Sequence, residues 1–234
     1  WAIDLLEGGL KIVGGLTQAG SGPEDDPAWE TEYLRQVVAH QNVQVECIYK
    51  VMRAFSLLLL GQYERALEWS NQAEPLIYTV GTQGLLPWPE HVFARTLILT
   101  GLYANAAPAQ QAVWCGELDR MLEQLRQWAV ACPANFAHKH ALVAAELARL
   151  KGQWFEAVQL YHQAVKSAAA EGFVQWQGLA HERAATFLEA HGHGRLAQVH
   201  WQEAYGSYSR WGATAKLRAL EATISQKLDS ELPK

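Results

Sequence analysis

Six of the nine histidines stand in arrangements that invite metal chemistry: His138 and His140 two apart, His191 and His193 two apart, and His181 and His200 nearby in sequence. A structural zinc needs four nitrogen or sulfur donors in a tetrahedron. The three cysteines, Cys47, Cys115 and Cys132, have no CxxC spacing, and no acidic or thiol ligand follows the histidines at a fixed interval. No metal centre is expected, and His191-Gly-His-Gly reads as a hairpin turn. The cysteines read as small helix-core hydrophobes of a reduced protein. No GxxxxGK[ST] phosphate cradle, kinase catalytic loop or GxSxG elbow occurs, so neither a catalytic residue nor a cofactor is expected.

A second set of residues could bind rather than react. His138, Lys139, Glu146 and Arg149, followed by Glu182 and Glu189, recur at helical spacing and would place mixed charge along helix faces. Such faces can hold a polar partner or an anionic ligand. Alternatively they form surface ion pairs worth about 0 to 1 kcal/mol each. Asn135, two residues after Pro133, is placed to cap the helix that carries them, a contribution of about 1 kcal/mol.

The elements that must position these residues announce themselves by repetition. Gly61-Gln-Tyr63-Glu-Arg-Ala66 continues to Ser70 and Ala73, Gly152-Gln-Trp154-Phe-Glu-Ala157 to Tyr161 and Ala164, and Gly192-His-Gly194-Arg-Leu-Ala197 to Trp201 and Ala204. A helical hairpin requires this order: glycine ends one helix in a left-handed turn, and small residues let the next approach closely. From Gly61 to Gly152 is about two units of ~45 residues and from Gly152 to Gly192 about one, so a degenerate pair is expected between. The reading is all-α: a TPR-like right-handed superhelix over 42–228, with pairs at about 43–79, 89–131, 136–171 and 174–211, a capping helix over 213–228 and a tail at 229–234. Residues 1–41 read as N-terminal helices around an acidic loop, with Pro27 in a first helical turn. Gly8, Gly9, Gly14 and Gly15 weaken the first of these helices. A further break is expected at Gly81–Pro87.

In this register the first helix of each pair lines a concave face. That face carries Lys139, Leu142, Glu146, Arg149 and Leu150, then Leu179, Glu182, Thr186 and Glu189, predicting an open mixed-charge groove toward the C-terminal half. Ile48, Val51, Phe55, Leu58 and Leu59 are the apolar equivalents, expected beneath the Pro27–His40 helix. Trp154, Tyr161, Trp201 and Trp211 fit inter-helix packing. Trp29, Trp88, Trp114 and Trp176 fall on less periodic stretches, where an exposed ring would mark a contact.

Composition narrows the class of partner. A formal charge of −5 without a Lys/Arg block gives no footprint for nucleic acid or an anionic membrane. No apolar run approaches the ~18 residues of a membrane span. The expectation is a soluble, cytoplasmic module, and the start at Trp1 reads as a piece of a larger polypeptide.

From about Val38 to Glu221 the chain resembles the helical region that follows the AAA/STAND-type ATPase in large multi-sensor signalling kinases, the serine/threonine and histidine kinase hybrids. The resemblance rests on Cys132-Pro133-Ala-Asn135-Phe136-Ala-His138-Lys139-His-Ala-Leu142-Val143-Ala-Ala-Glu146, on Leu196-Ala197-Gln198-Val-His-Trp-Gln202-Glu203-Ala204-Tyr205, and on Arg210-Trp211-Gly212-Ala213. The extra tryptophans and glycine-rich start depart from the family pattern. The resemblance implies a non-catalytic interaction and relay module, with neighbouring ATPase, kinase or sensor domains, or a partner protein, as its contacts. The competing reading is a small-ligand sensor, as in ATPase regulators that read an inducer in a helical superhelix. An enclosed aromatic pocket would favour the sensor, and an open groove or exposed apolar edge would favour protein contact. Exposed end helices would also allow a homodimer.

Overall fold

The computed structural model describes residues 2–18, 20–79 and 84–231, with side chains described as far as residue 222. Helices follow one another without a strand among the described residues: α1 (Ala2–Thr17), α2 (Pro27–Ala39), α3 (Val43–Leu59), α4 (Tyr63–Thr79), α5 (Pro87–Leu102), α6 (Pro108–Ala131), α7 (Pro133–Leu150), α8 (Trp154–Ala170), α9 (Val174–Ala190), α10 (Gly194–Trp211) and α11 (Thr214–Glu231). Each packs against its successor from α2 onward, most extensively within α3/α4, α7/α8 and α9/α10, so the chain is an all-α array of helix pairs. The expected break at Gly81–Pro87 falls partly on 80–83, outside the described residues, and α5 begins at Pro87. The expected tail is helical as far as Glu231.

The repeat grammar works as its chemistry requires. Gly61, Gly152 and Gly192 take φ values of 77°, 70° and 79°, a left-handed turn that glycine enters without a Cβ clash. Behind them Ala66, Ala73, Ala157, Ala164, Ala197 and Ala204 are fully buried, as are Ser70 and Tyr161, with Trp201 nearly so. Helix starts are set less uniformly. Asp26 caps α2, its Oδ1 accepting from the Trp29 amide at 3.1 Å, with Pro27 in the first turn. Asn135 is not a cap: α7 starts at Pro133 after Cys132, because proline's fixed φ suits the first turn and needs no amide partner.

Inner helices α3, α5, α7 and α9 contact one another in sequence, and they also meet across the array. Trp176 of α9 lies edge-on to Phe55 of α3 at 4.9 Å and to Phe93 of α5 at 5.2 Å. The array then closes on itself. Helix α1 packs on α3 and on α11, and the Thr214 hydroxyl donates to the Thr17 carbonyl. Cover for the apolar face of α3 therefore comes from α1 and α9 as well as from α2.

Helix α1 fits because two of its glycines are demanded by packing. A Cβ on Gly8 would stand 2.7 Å from the Tyr33 ring and 2.8 Å from that of Tyr49, and one on Gly15 would stand 2.7 Å from the Gly22 Cα. Tyr33 cannot yield easily, since it is stacked on Trp29 at 5.0 Å and donates to the Asp4 carbonyl at 2.7 Å. Gly8→Ala is accordingly expected to cost about 1 to 3 kcal/mol by overpacking despite its better helix propensity. Thermal melting of Gly8→Ala beside Gly9→Ala checks this, because Gly9 has room for a methyl group. Equal melting temperatures would show that α1 is not held in this way.

Candidate functional site

The charged residues expected on an open groove floor lie inside the array. Lys139 is 4 % exposed and Glu146 1 %; His138 is also buried, while Arg149, Glu182 and Glu189 are half-buried and Asn135 is exposed. The open-groove expectation is corrected for a simple reason. Helical period identifies an inward face, but the faces of α3, α5 and α9 are close enough for their rings to touch.

Those charges form a chain of internal pairs. Lys139 of α7 pairs with Glu90 of α5, and its ammonium lies 5.2 Å from the Trp176 ring, 5.5 Å from Phe93 and 5.9 Å from Phe136. Burial lowers the Lys139 pKa, and Glu90 opposes that shift. Farther along α7, Glu146 accepts from Arg149 Nε at 2.9 Å and Nη2 at 2.7 Å, and from the Tyr161 hydroxyl at 2.8 Å. Burial works against its charge, but Arg183, Arg149 and the Tyr161 hydrogen bond outweigh that and hold the carboxyl below the ordinary range. Arg149 also donates to the Thr100 carbonyl at 3.0 Å. Arg183 lies 5.3 Å over the Tyr63 ring, within electrostatic reach of both Glu146 and Glu182. Glu182 in turn accepts from the Tyr208 hydroxyl and from Lys216 of α11, each at 2.6 Å.

Two further cations, absent from the sequence-based candidates, complete the interior. Arg53 is fully buried and bonds Glu30 at 2.7 Å and Glu24. Arg95 reaches Glu117, Asn71 at 2.8 Å and Ser70 at 3.0 Å. A signal for Arg95 existed: it stands in Phe93-Ala-Arg-Thr-Leu-Ile-Leu99, where a lone charge in an apolar run implies a buried pair. Geometry of this kind fixes helices against one another.

The histidines and tryptophans pack among the helices. His181 and His200 face each other Nδ1 to Nδ1 at 3.0 Å. Among the described residues no three His, Cys, Asp or Glu side chains stand together as metal ligands. His191 packs on Trp154 and Phe187 beside the Gly192 turn. Trp114 and Trp176 are buried, while Trp29 and Trp88 are half-buried against Tyr33 and Trp128, so none of the four is an exposed ring. Cys47 is in the core as expected. Cys115 is exposed instead and Cys132 half-buried.

An apolar stripe faces outward on α1. Ile3, Leu6, Leu10 and Val13 are 78 %, 64 %, 70 % and 48 % exposed, on the side away from the buried Gly8, Ile12 and Leu16. Beside this stripe a groove of about 490 Å³ runs between α1 and α2, bordered by Leu10, Val13, Thr17 and Trp29, with Glu7 and Lys11 at its edge. The Trp29 indole donates to Glu7 at 3.3 Å, and the Lys11 ammonium is 5.3 Å from its ring. A sequence signal was present here too: Ile3, Leu6, Leu10 and Val13 recur at threes and fours on a face other than that of Ile12 and Leu16.

No protein-family model matches the chain, and neither the curated proteins nor the solved structures include a match to it. Among the described residues, no helix is long and apolar enough to cross a membrane.

Proposed function

We propose that this chain is a non-catalytic interaction and relay module, in which a TPR-like superhelix transmits a change at one end to the other. The observation that carries the reading is closure: α1 and α11 touch through Thr17 and Thr214, while Lys216 ties α11 to Glu182 in α9. A displacement of either end helix must then break contacts with the other, and a packed interior passes strain rather than absorbing it. Segments 132–146 and 196–213 support the finer proposal that its contacts are ATPase, kinase or sensor domains of a multi-sensor signalling protein. An exposed apolar edge on α1 further supports protein contact.

Hydrogen exchange tests the coupling. Lys216→Met is expected to raise exchange in α1 as well as in α9 and α11, because α1 rests on α11. Faster exchange confined to α11 would remove the basis for relay. The ligand-sensor alternative draws on the groove beside Trp29. It predicts a stabilisation of about 2.7 kcal/mol by a ligand at 100 times its dissociation constant, readable by thermal unfolding against a panel of sugars, nucleotides and metabolites.

A further inference from the structure

The charged groups around Arg183 are committed to one another, and Arg183 is not. Arg149 donates to Glu146 and to the Thr100 carbonyl, and Lys216 donates to Glu182. Both carboxylates are filled: Glu146 accepts from Arg149 and Tyr161 on separate oxygens, and Glu182 from Lys216 and Tyr208 on separate oxygens. Arg183 stands 5.3 Å over the Tyr63 ring, yet among the described residues its guanidinium makes neither a hydrogen bond nor an ion pair, and its Nη2 is sealed from solvent. A guanidinium is all donor, and buried donors are almost always bonded.

Packing does not ask for this side chain. Nine residues before each turn glycine stand Met52 ahead of Gly61, Val143 ahead of Gly152 and Arg183 ahead of Gly192. Val143 is buried and Met52 half-buried, so the position suits an apolar side chain in both other pairs.

The ring beneath the guanidinium supplies a second idle donor. Tyr63 opens α4 and is held by close packing, since a Cβ on Gly101 of α5 would stand 2.8 Å from its ring. Its hydroxyl has no hydrogen-bond partner among the described residues. Burial raises its pKa, so the hydroxyl keeps its proton and can donate. Both Arg183 and Tyr63 are half-buried, which leaves the pair a side open to solvent.

Charge selects the occupant. Arg149, Arg183 and Lys216 face only Glu146 and Glu182, so one positive charge is left over. A carboxylate matches the guanidinium fork edge to edge and brings the cluster to neutrality. A phosphate dianion would overshoot beside carboxylates that are already ionised. We infer that Arg183 and Tyr63 form a binding site for the carboxylate of a small molecule, where α4, α7 and α9 meet. The site is separate from the groove beside Trp29, and it stands whether or not the chain relays.

Solution NMR of the arginine Nε–H groups of the whole chain tests it, with sodium acetate titrated against sodium chloride of equal ionic strength. One resonance, absent from Arg183→Met, is expected to shift along a saturating curve with acetate alone. Arg183→Met should fold and melt no lower than the wild type without acetate, since Met52 fills the equivalent position and the remaining cations match the carboxylates. Tyr63→Phe should keep the fold and weaken acetate about tenfold, the worth of a hydrogen bond to a charged group. The proposal is overturned by the absence of a saturable acetate shift, by a shift with inorganic phosphate only, or by an acetate response that survives Arg183→Met or ignores Tyr63→Phe. An Arg183→Met chain that unfolds overturns it too, because Glu146 and Glu182 would then already satisfy the guanidinium.

Discussion

Glu146→Ala is expected to lower the unfolding free energy by about 3 to 5 kcal/mol, the range for removing one partner of a buried ion pair. Its carboxylate is the shared acceptor for Arg149 and Tyr161 and a compensating charge for Arg183, whose Nη2 already has no hydrogen-bond partner among the described residues. The other carboxylate in reach, Glu182, is committed to Tyr208 and Lys216. Deleting Glu146 therefore leaves the Arg183 guanidinium inside the array with only that already shared carboxylate to offset its charge. Glu146→Gln keeps the volume and an acceptor for Tyr161, so its cost should be smaller, and the difference between the two isolates the cavity from the charge. Chemical denaturation measures both. Losses below about 1 kcal/mol for each would place Glu146 with exposed surface pairs.

The contrast between Glu146 and Ala157 shows what the sequence could and could not tell. Ala157, five residues after Gly152, is legible as a close-packing position because its reason is local: a turn fixes where the next helix starts, and 3.6 residues per turn fixes which side faces its partner. Glu146 is on the inward face by the same arithmetic. Its burial depends on Arg183, and that of Lys139 on Glu90, 49 residues away. Whether a charged inward face meets water or a counter-charge is decided by how tightly the array curves, and no short spacing encodes curvature. Asn135 failed for a different reason: proline and a capping side chain compete to start a helix, and Pro133 came first. In helix α1 the glycines argue against a helix until Tyr33, Tyr49 and Gly22 supply the surfaces that need Gly8 and Gly15.

Acid should unfold this protein well above the carboxylate range, through its histidines. His138 is buried with neither ring nitrogen bonded among the described residues, its ring 4.7 Å from Phe173; burial first, and the neighbouring Lys139 second, push its pKa to about 3. His91 is pushed to about 3 by burial and by Arg95, and His181 downward by burial, His200 and Arg210. Each is neutral in the folded protein but takes a proton near the ordinary value of 6.5 when unfolded. The unfolded state thus binds more protons below that value, and stability present above pH 6.5 is lost as pH falls toward the folded values. At pH 5 the loss is about 2 kcal/mol for each of His91 and His138, with His181 adding in the same direction. Against a total stability of about 5 to 15 kcal/mol this is a large fraction. Urea titrations at pH 7.5, 6 and 5 should show a steep fall over that range. His138→Leu removes one titrating group and two unpaired nitrogens, so it should melt higher than the wild type at pH 5 and flatten the pH dependence. An unchanged slope would mean that His138 is charged or solvated in the folded chain, and that the α7 interior is more open than its packing indicates.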